Sequence, residues 1–214
     1  MRRLAMALVL ALPLAACSTH KAYLNPQFGS TTSAHQQVAI LPFDVTISRV
    51  RLPKNLTPED VDKMEREESL AVQAQLQTQL LQRAHQYTVQ FQDVSRTNVL
   101  LSQAGLTGDS LHTRTKDEIA KLLGVDAVIS GRIQRSKPMA TGTAIVLRVL
   151  FGNFASANTN EVGVDLQLHN AADGSLLWNF SHKFGGSVGS SPENLGEALM
   201  GSIARHLPYR RVGT

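Results

Sequence analysis

The chain has 214 residues, a formal net charge of +4 at pH 7 and one cysteine. That length fits one domain, or one domain with a long excursion, and a lone cysteine excludes a disulfide framework and a thiolate metal site. Much of the excess charge is local: removing residues 1–16 takes Arg2 and Arg3 away and leaves +2. Basicity is therefore no argument for nucleic acid, which is not expected as a partner.

Met1-Arg2-Arg3 is a short basic head, and Leu4 to Leu14 is an apolar run. Leu14-Ala15-Ala16-Cys17 then ends in small residues before the cysteine. This predicts a secretory signal peptide over 1–16, too short in its apolar part to stay as a spanning helix. The same four residues resemble the bacterial lipobox. That resemblance implies cleavage between Ala16 and Cys17 and a diacylglycerol anchor on the Cys17 thiol. Ser18 in place of Asp implies transfer to the outer membrane, with the domain facing the periplasm. The alternative is an ordinary signal peptide that happens to hold a cysteine. Two or more acyl chains would hold the protein at a membrane without any spanning helix.

Residues 17–36 are rich in Ser, Thr, Gly and Pro and read as a lipidated amino terminus and flexible tether. A single domain is expected over 37–210. Val38 to Ile47 reads as a strand, with Pro42 marking a bulge or strand end because proline lacks a ladder donor. Thr57-Pro58-Glu59-Asp60 starts a helix that could run to about His85, with Val61, Met64, Val72, Leu76 and Leu80 at helical spacing. Its acidic first half, Glu59 to Glu68, reads as a solvated face. Tyr87 to Phe91 alternates as a short strand, and Val94 to Ala104 reads as a helix. Thr115 to Glu118 is a capping box for a helix stopped at Gly124. Ala127 to Ile133 follows as a strand apolar on both faces, hence central in a covered sheet.

Beyond it the pattern turns β-rich. Thr143 to Phe151 is strongly apolar, Glu161 to His169 alternates, and Leu176 to Phe184 returns across an Asn170–Gly174 turn as a hairpin partner. Ser191-Pro192-Glu193 caps a last helix reaching about Leu207. The expected class is α/β, an α+β sandwich in the order β-α-β-α-α-β-β-β-β-α. Its mixed sheet should have about five to six strands with helices packed on it.

Val38 to Phe43, Leu122 to Ile133 and Val164 to Trp178 occur in an order that resembles a recurring bacterial envelope domain. That domain is found in the curli-secretion lipoprotein CsgG, the penicillin-binding-protein activator LpoB and the N-terminal domain of TolB. The resemblance implies a non-enzymatic protein that assembles envelope machinery, often as a ring, or touches a synthase. Arg49 to Glu68 matches neither CsgG nor LpoB.

Gly185-Gly186-Ser187-Val188-Gly189 matches G-x-S-x-G between a strand and a helix. Only Glu193, Glu197 and His206 follow it, all in or beside one helix, so a catalytic triad around Ser187 is disfavoured. No HExxH or paired histidine spacing and no Walker-type loop occurs, so neither a metal nor another cofactor is expected. Trp178 reads as core packing or as an interface anchor. Thr143 to Phe151, nine residues long, has the ~9–11 residues of a membrane strand. Arg148 and the missing aromatic girdle argue for a buried strand instead; as an oligomer contact it would present Ile145, Leu147, Val149 and Phe151. The sequence thus favours an assembly or interaction lipoprotein that meets an envelope protein or a second copy of itself. An activator docking on a cell-wall synthase is second, and a serine hydrolase a remote third.

Overall fold

The computed structural model describes residues 20–47, 56–135, 161–185 and 200–211. The strands in chain order are β1 (His20–Leu24), β2 (Gln37–Ile40), β3 (Asp44–Ile47), β4 (Gln90–Phe91), β5 (Ala127–Arg135), β6 (Glu161–Asn170) and β7 (Leu176–Gly185). The α-helices are α1 (Phe28–Thr31), α2 (Pro58–Leu81), α3 (Val94–Gln103) and α4 (Lys116–Leu123), followed by α5 over 200–206. All seven strands join one mixed sheet in the order β1-β7-β6-β5-β2-β4, with β3 also on β5. β2 runs parallel to both β4 and β5, and β3 runs parallel to β5. From β5 through β6 and β7 to β1 the pairing is antiparallel.

The central strand is built by the local signals that precede it. Thr115 and Glu118 form a reciprocal capping box at the start of α4, and Gly124 ends the helix at φ 67°, ψ 40°. Only glycine takes that left-handed conformation without a Cβ penalty. The chain then enters β5, which lies between β6 and β2. Ala127, Ile129 and Ile133 point into the larger core, where Ile40, Leu166 and Phe180 meet Val72, Leu76 and Leu80 of α2 and Ile203 of α5. Val128 points the other way, into a smaller core with Ala39, Leu41, Leu101 of α3 and Ile119 of α4. Each fully buried Leu or Ile contributes roughly 1.5–3 kcal/mol by leaving water.

β2 and β3 are one predicted strand divided at Pro42. Ile40 pairs with Ile129 and Asp44 with Arg132, so residues 41–43 stand opposite only 130 and 131. One extra residue in a strand is a β-bulge, and it reverses which face the later side chains take. Val38 and Ile40 face the larger core before it; Phe43, Val45 and Ile47 do so after it. Asp44 is thereby sent to the opposite face. Phe43 folds over Gly131, where an added Cβ would stand 2.3 Å from its ring.

Several expectations change. The tether expected over 17–36 is docked from His20 onward. β1 pairs with β7 along its whole length, the Asn25 backbone N–H donates to the Leu177 carbonyl at 2.9 Å, and Phe28 meets Tyr209 edge-on at 5.3 Å. Short polar sequence hid this because β1 is specified by the edge it covers. With β1 added and the bulge dividing another strand, the sheet has seven strands, beyond the five to six expected.

α2 begins at Thr57 with the predicted capping box and Pro58 at its first position, but ends at Leu81, with a 3-10 turn over Ala84–Gln86 after it. Its acidic half is not wholly solvated: Glu68 is 1 % exposed, and Glu65 Oε1 accepts from the Ile47 backbone N–H at 2.8 Å. The strand expected over Tyr87 to Phe91 shortens to β4, while buried Tyr87 donates its hydroxyl to the Ala204 carbonyl at 2.7 Å.

Candidate functional site

On the face opposite the larger core, α3 and α4 cover the β2 and β5 part of the sheet, and α4 reaches the His169 end of β6. No described element covers the rest. The side chains that alternate onto this remaining face are polar. They are Ser130, Arg132 and Gln134 from β5, Asp165 and Gln167 from β6, Asn179 and Ser181 from β7, and Lys21 and Tyr23 from β1. A half-solvated antiparallel sheet has this alternation. The face is thus a broad polar shelf bounded on one side by α4 and by the 3-10 turn over Gly108–Thr113.

Where the shelf meets that boundary there are two adjoining clefts. One, of about 570 Å³, is lined by Lys21, Asp44, His112, Lys116, Arg132 and Asp165 among others. The second, of about 520 Å³, shares Asp44, His112, Lys116, Ser130 and Gly131 and adds the apolar Leu41, Phe43 and Leu106. Asp44, delivered here by the bulge, accepts from Arg132 Nε at 2.8 Å and lies 4.0 Å from His112 Nε2. Burial lowers the Lys116 pKa, against the attraction of Asp44 and in step with the repulsion of Arg132. On the same face His169 has its pKa lowered by burial and then by the Lys116 charge, and its buried Nδ1 has no hydrogen-bond partner. Asn179 Nδ2 donates to Asp165 Oδ1 at 2.7 Å. Charges of both signs alternate with amides and hydroxyls, which suits directional polar recognition.

The segment over 25–36 that links β1 to β2 is held by its own contacts. Asp126 Oδ2 accepts from the backbone N–H groups of Gln36 at 2.7 Å and Gln37 at 2.9 Å. His35 Nδ1 and Tyr209 Oη share a hydrogen bond of 2.6 Å. Burial raises the Tyr209 phenol well above its ordinary range, with the Asp126 charge acting in the same direction. Burial lowers the His35 pKa, opposed by Asp126 and by a hydrogen bond with Asn170.

Of the residues singled out from the sequence, Trp178 is 2 % exposed and stacks on Phe180 at 5.8 Å in the larger core. Packing, the first of its two readings, accounts for it. Ala16, Cys17, Ile145, Leu147, Val149, Phe151 and Ser187 lie outside the described residues. His206 uses its Nδ1 on the Ser202 carbonyl at 2.7 Å. Among the described residues no three His, Cys, Asp or Glu side chains group as a metal site, and no helix is long and apolar enough to cross a membrane. Sequence reasoning missed the shelf. Its alternation in β6 was visible, but which strands would lack a covering helix was not.

No family model matches the chain, and no curated protein does. Among solved structures it is similar to the PelC dodecamer from Paraburkholderia phytofirmans, at 14% identity and TM-score 0.49, over 91% of this chain and 100% of that one. It is also similar to lipoprotein GNA1162 from Neisseria meningitidis, at 18% identity and TM-score 0.44, over 80% and 98%. A third is the LpoB C-terminal domain from Escherichia coli, at 15% identity and TM-score 0.35, over 75% and 94%.

Proposed function

We propose that this chain is a lipid-anchored lipoprotein of the bacterial outer membrane, facing the periplasm, that serves as a non-enzymatic interaction or assembly subunit. The observation that carries this reading is the polar shelf, a sheet face with no described cover and with directional hydrogen-bonding groups. It lies beside β1, whose first residue follows Cys17 by three positions. The lipobox at Leu14 to Cys17 supplies the address. The occupant of the shelf is an envelope protein or another copy of the chain. Activation of a cell-wall synthase fits less well, because residues 20–36 pack on the domain and only two residues separate Cys17 from β1.

Site-specific photo-crosslinking in intact bacteria tests this. Photoreactive residues at Tyr23 and Gln167 on the shelf should give discrete adducts, and one at exposed Glu67 on α2 should not. An adduct at twice the mass of the chain would make the partner a second copy. Cys17→Ser should abolish acylation, seen as loss of palmitate labelling, and with it the adducts. Silence from both shelf positions, or equal capture from Glu67, would overturn the reading.

A further inference from the structure

The sheet has two ends, and the chain's amino-terminal side belongs to one of them. Across the sheet His20, His182, Val164, Ile133 and Val45 stand in one row. β1 runs antiparallel to β7, so its first residue, His20, is the one nearest the end at which β7 finishes at Gly185. At that same end β3 finishes at Ile47, β5 finishes at Arg135 and β6 begins at Glu161. The turn over Asn170–Gly174 and the start of β5 lie at the opposite end. From Cys17 to His20 the chain spans three residues, at most about 10 Å when fully extended. From Gln134 at the first end to the Asn170 turn at the other, β6 spans seven residues, roughly 23 Å.

We infer that the domain stands on the lipid surface by the end where β3, β5 and β7 finish, with its strands leading away from the bilayer. The inference rests on the reading of Cys17 as the acylated residue. Because β1 is zipped to β7, the spacer cannot lengthen without breaking the sheet. The anchor therefore fixes which end faces lipid, as well as where the protein resides. The occupant of this end is a phospholipid surface, and the polar shelf is turned sideways, parallel to the membrane normal. Partners on the shelf would approach within the plane of the membrane.

The test uses the full-length acylated protein in vesicles of phosphatidylethanolamine and phosphatidylglycerol carrying a head-group nitroxide lipid. Acylation blocks Cys17, so a fluorophore can be placed at Gln134→Cys or, separately, at Ala172→Cys; both positions are exposed. Nitroxide quenching should be severalfold stronger at position 134 than at 172. Inserting a Gly/Ser spacer of a dozen residues between Cys17 and His20 should collapse the difference. Equal quenching at the two positions would overturn the orientation while leaving the anchor intact, and a difference that survives the spacer would overturn the short spacer as what fixes it. Intact mass lacking acyl groups on Cys17, with vesicles that float without the protein, would overturn the anchor reading and the orientation with it.

Discussion

At the scale of single residues, the contact of Phe43 with Gly131 makes an unusually sharp demand. Phe43 is 3 % exposed and packed into the larger core, so its ring has little room to retreat from a new methyl group. Gly131→Ala should destabilise the fold by about 1–3 kcal/mol through overpacking, read from the shift in a urea unfolding midpoint. Sequence reasoning could find Gly124, whose helix-stop role is local, but not Gly131, whose constraint comes from a distant strand. Acid should also find the half-buried histidines. His35 and His169 have pKa values lowered from 6.5 by burial, so the unfolded chain takes up protons on them more readily than the folded one. Their contribution is present above pH 6.5 and is lost as pH falls toward their folded values. Asp117, held to about 2 by Thr115 and Lys121, adds a separate loss only below about 3.8. Denaturant unfolding between pH 7.5 and pH 5 should therefore show falling stability. His169→Asn should flatten that slope, and an unchanged slope would place its origin elsewhere.

Among the strands, β1 is the one that sequence patterning did not reveal. HKAYL has no long alternating period, and its place depends on β7 offering an edge. That edge matters because β7 carries Trp178 and Phe180, both buried in the larger core. Deleting residues 20–25 would leave the outer edge of β7 unpaired, a template for joining other chains. Such a form should melt several degrees lower and associate on warming, as scanning calorimetry and light scattering would record. An unchanged melting temperature would mean that β1 adds little to the sheet. The contrast with α2 and α4 is physical. Their starts are written in adjacent residues, Thr57 with Asp60 and Thr115 with Glu118, so a linear reading suffices. Whether a strand lies at an edge or a face stays bare depends on elements far away in the chain.

On the scale of the whole molecule, the fold class and the central place of β5 were legible because apolar periodicity reports burial directly. The shelf was not, since polarity on one face of β6 is compatible with solvent, a partner or another layer. The sheet also divides the chain's tolerance of length in two. Between β2 and β3 the count of residues acts as a phase: three residues stand opposite two, and every side chain downstream to Ile47 is set by that odd surplus. Remove one residue there and Asp44 and Thr46 trade places with Val45 and Ile47, while Arg132 loses its carboxylate. The Asn170–Gly174 turn is bound the same way, because β6 and β7 pair on both sides of it with one fixed register shift between Leu168 and His169. Loss or gain of a single codon at these joints would scramble inside and outside together, whereas substitution at the same positions changes one side chain. Descent of this domain should therefore be recorded in preserved spacing along these strands more faithfully than in the letters themselves.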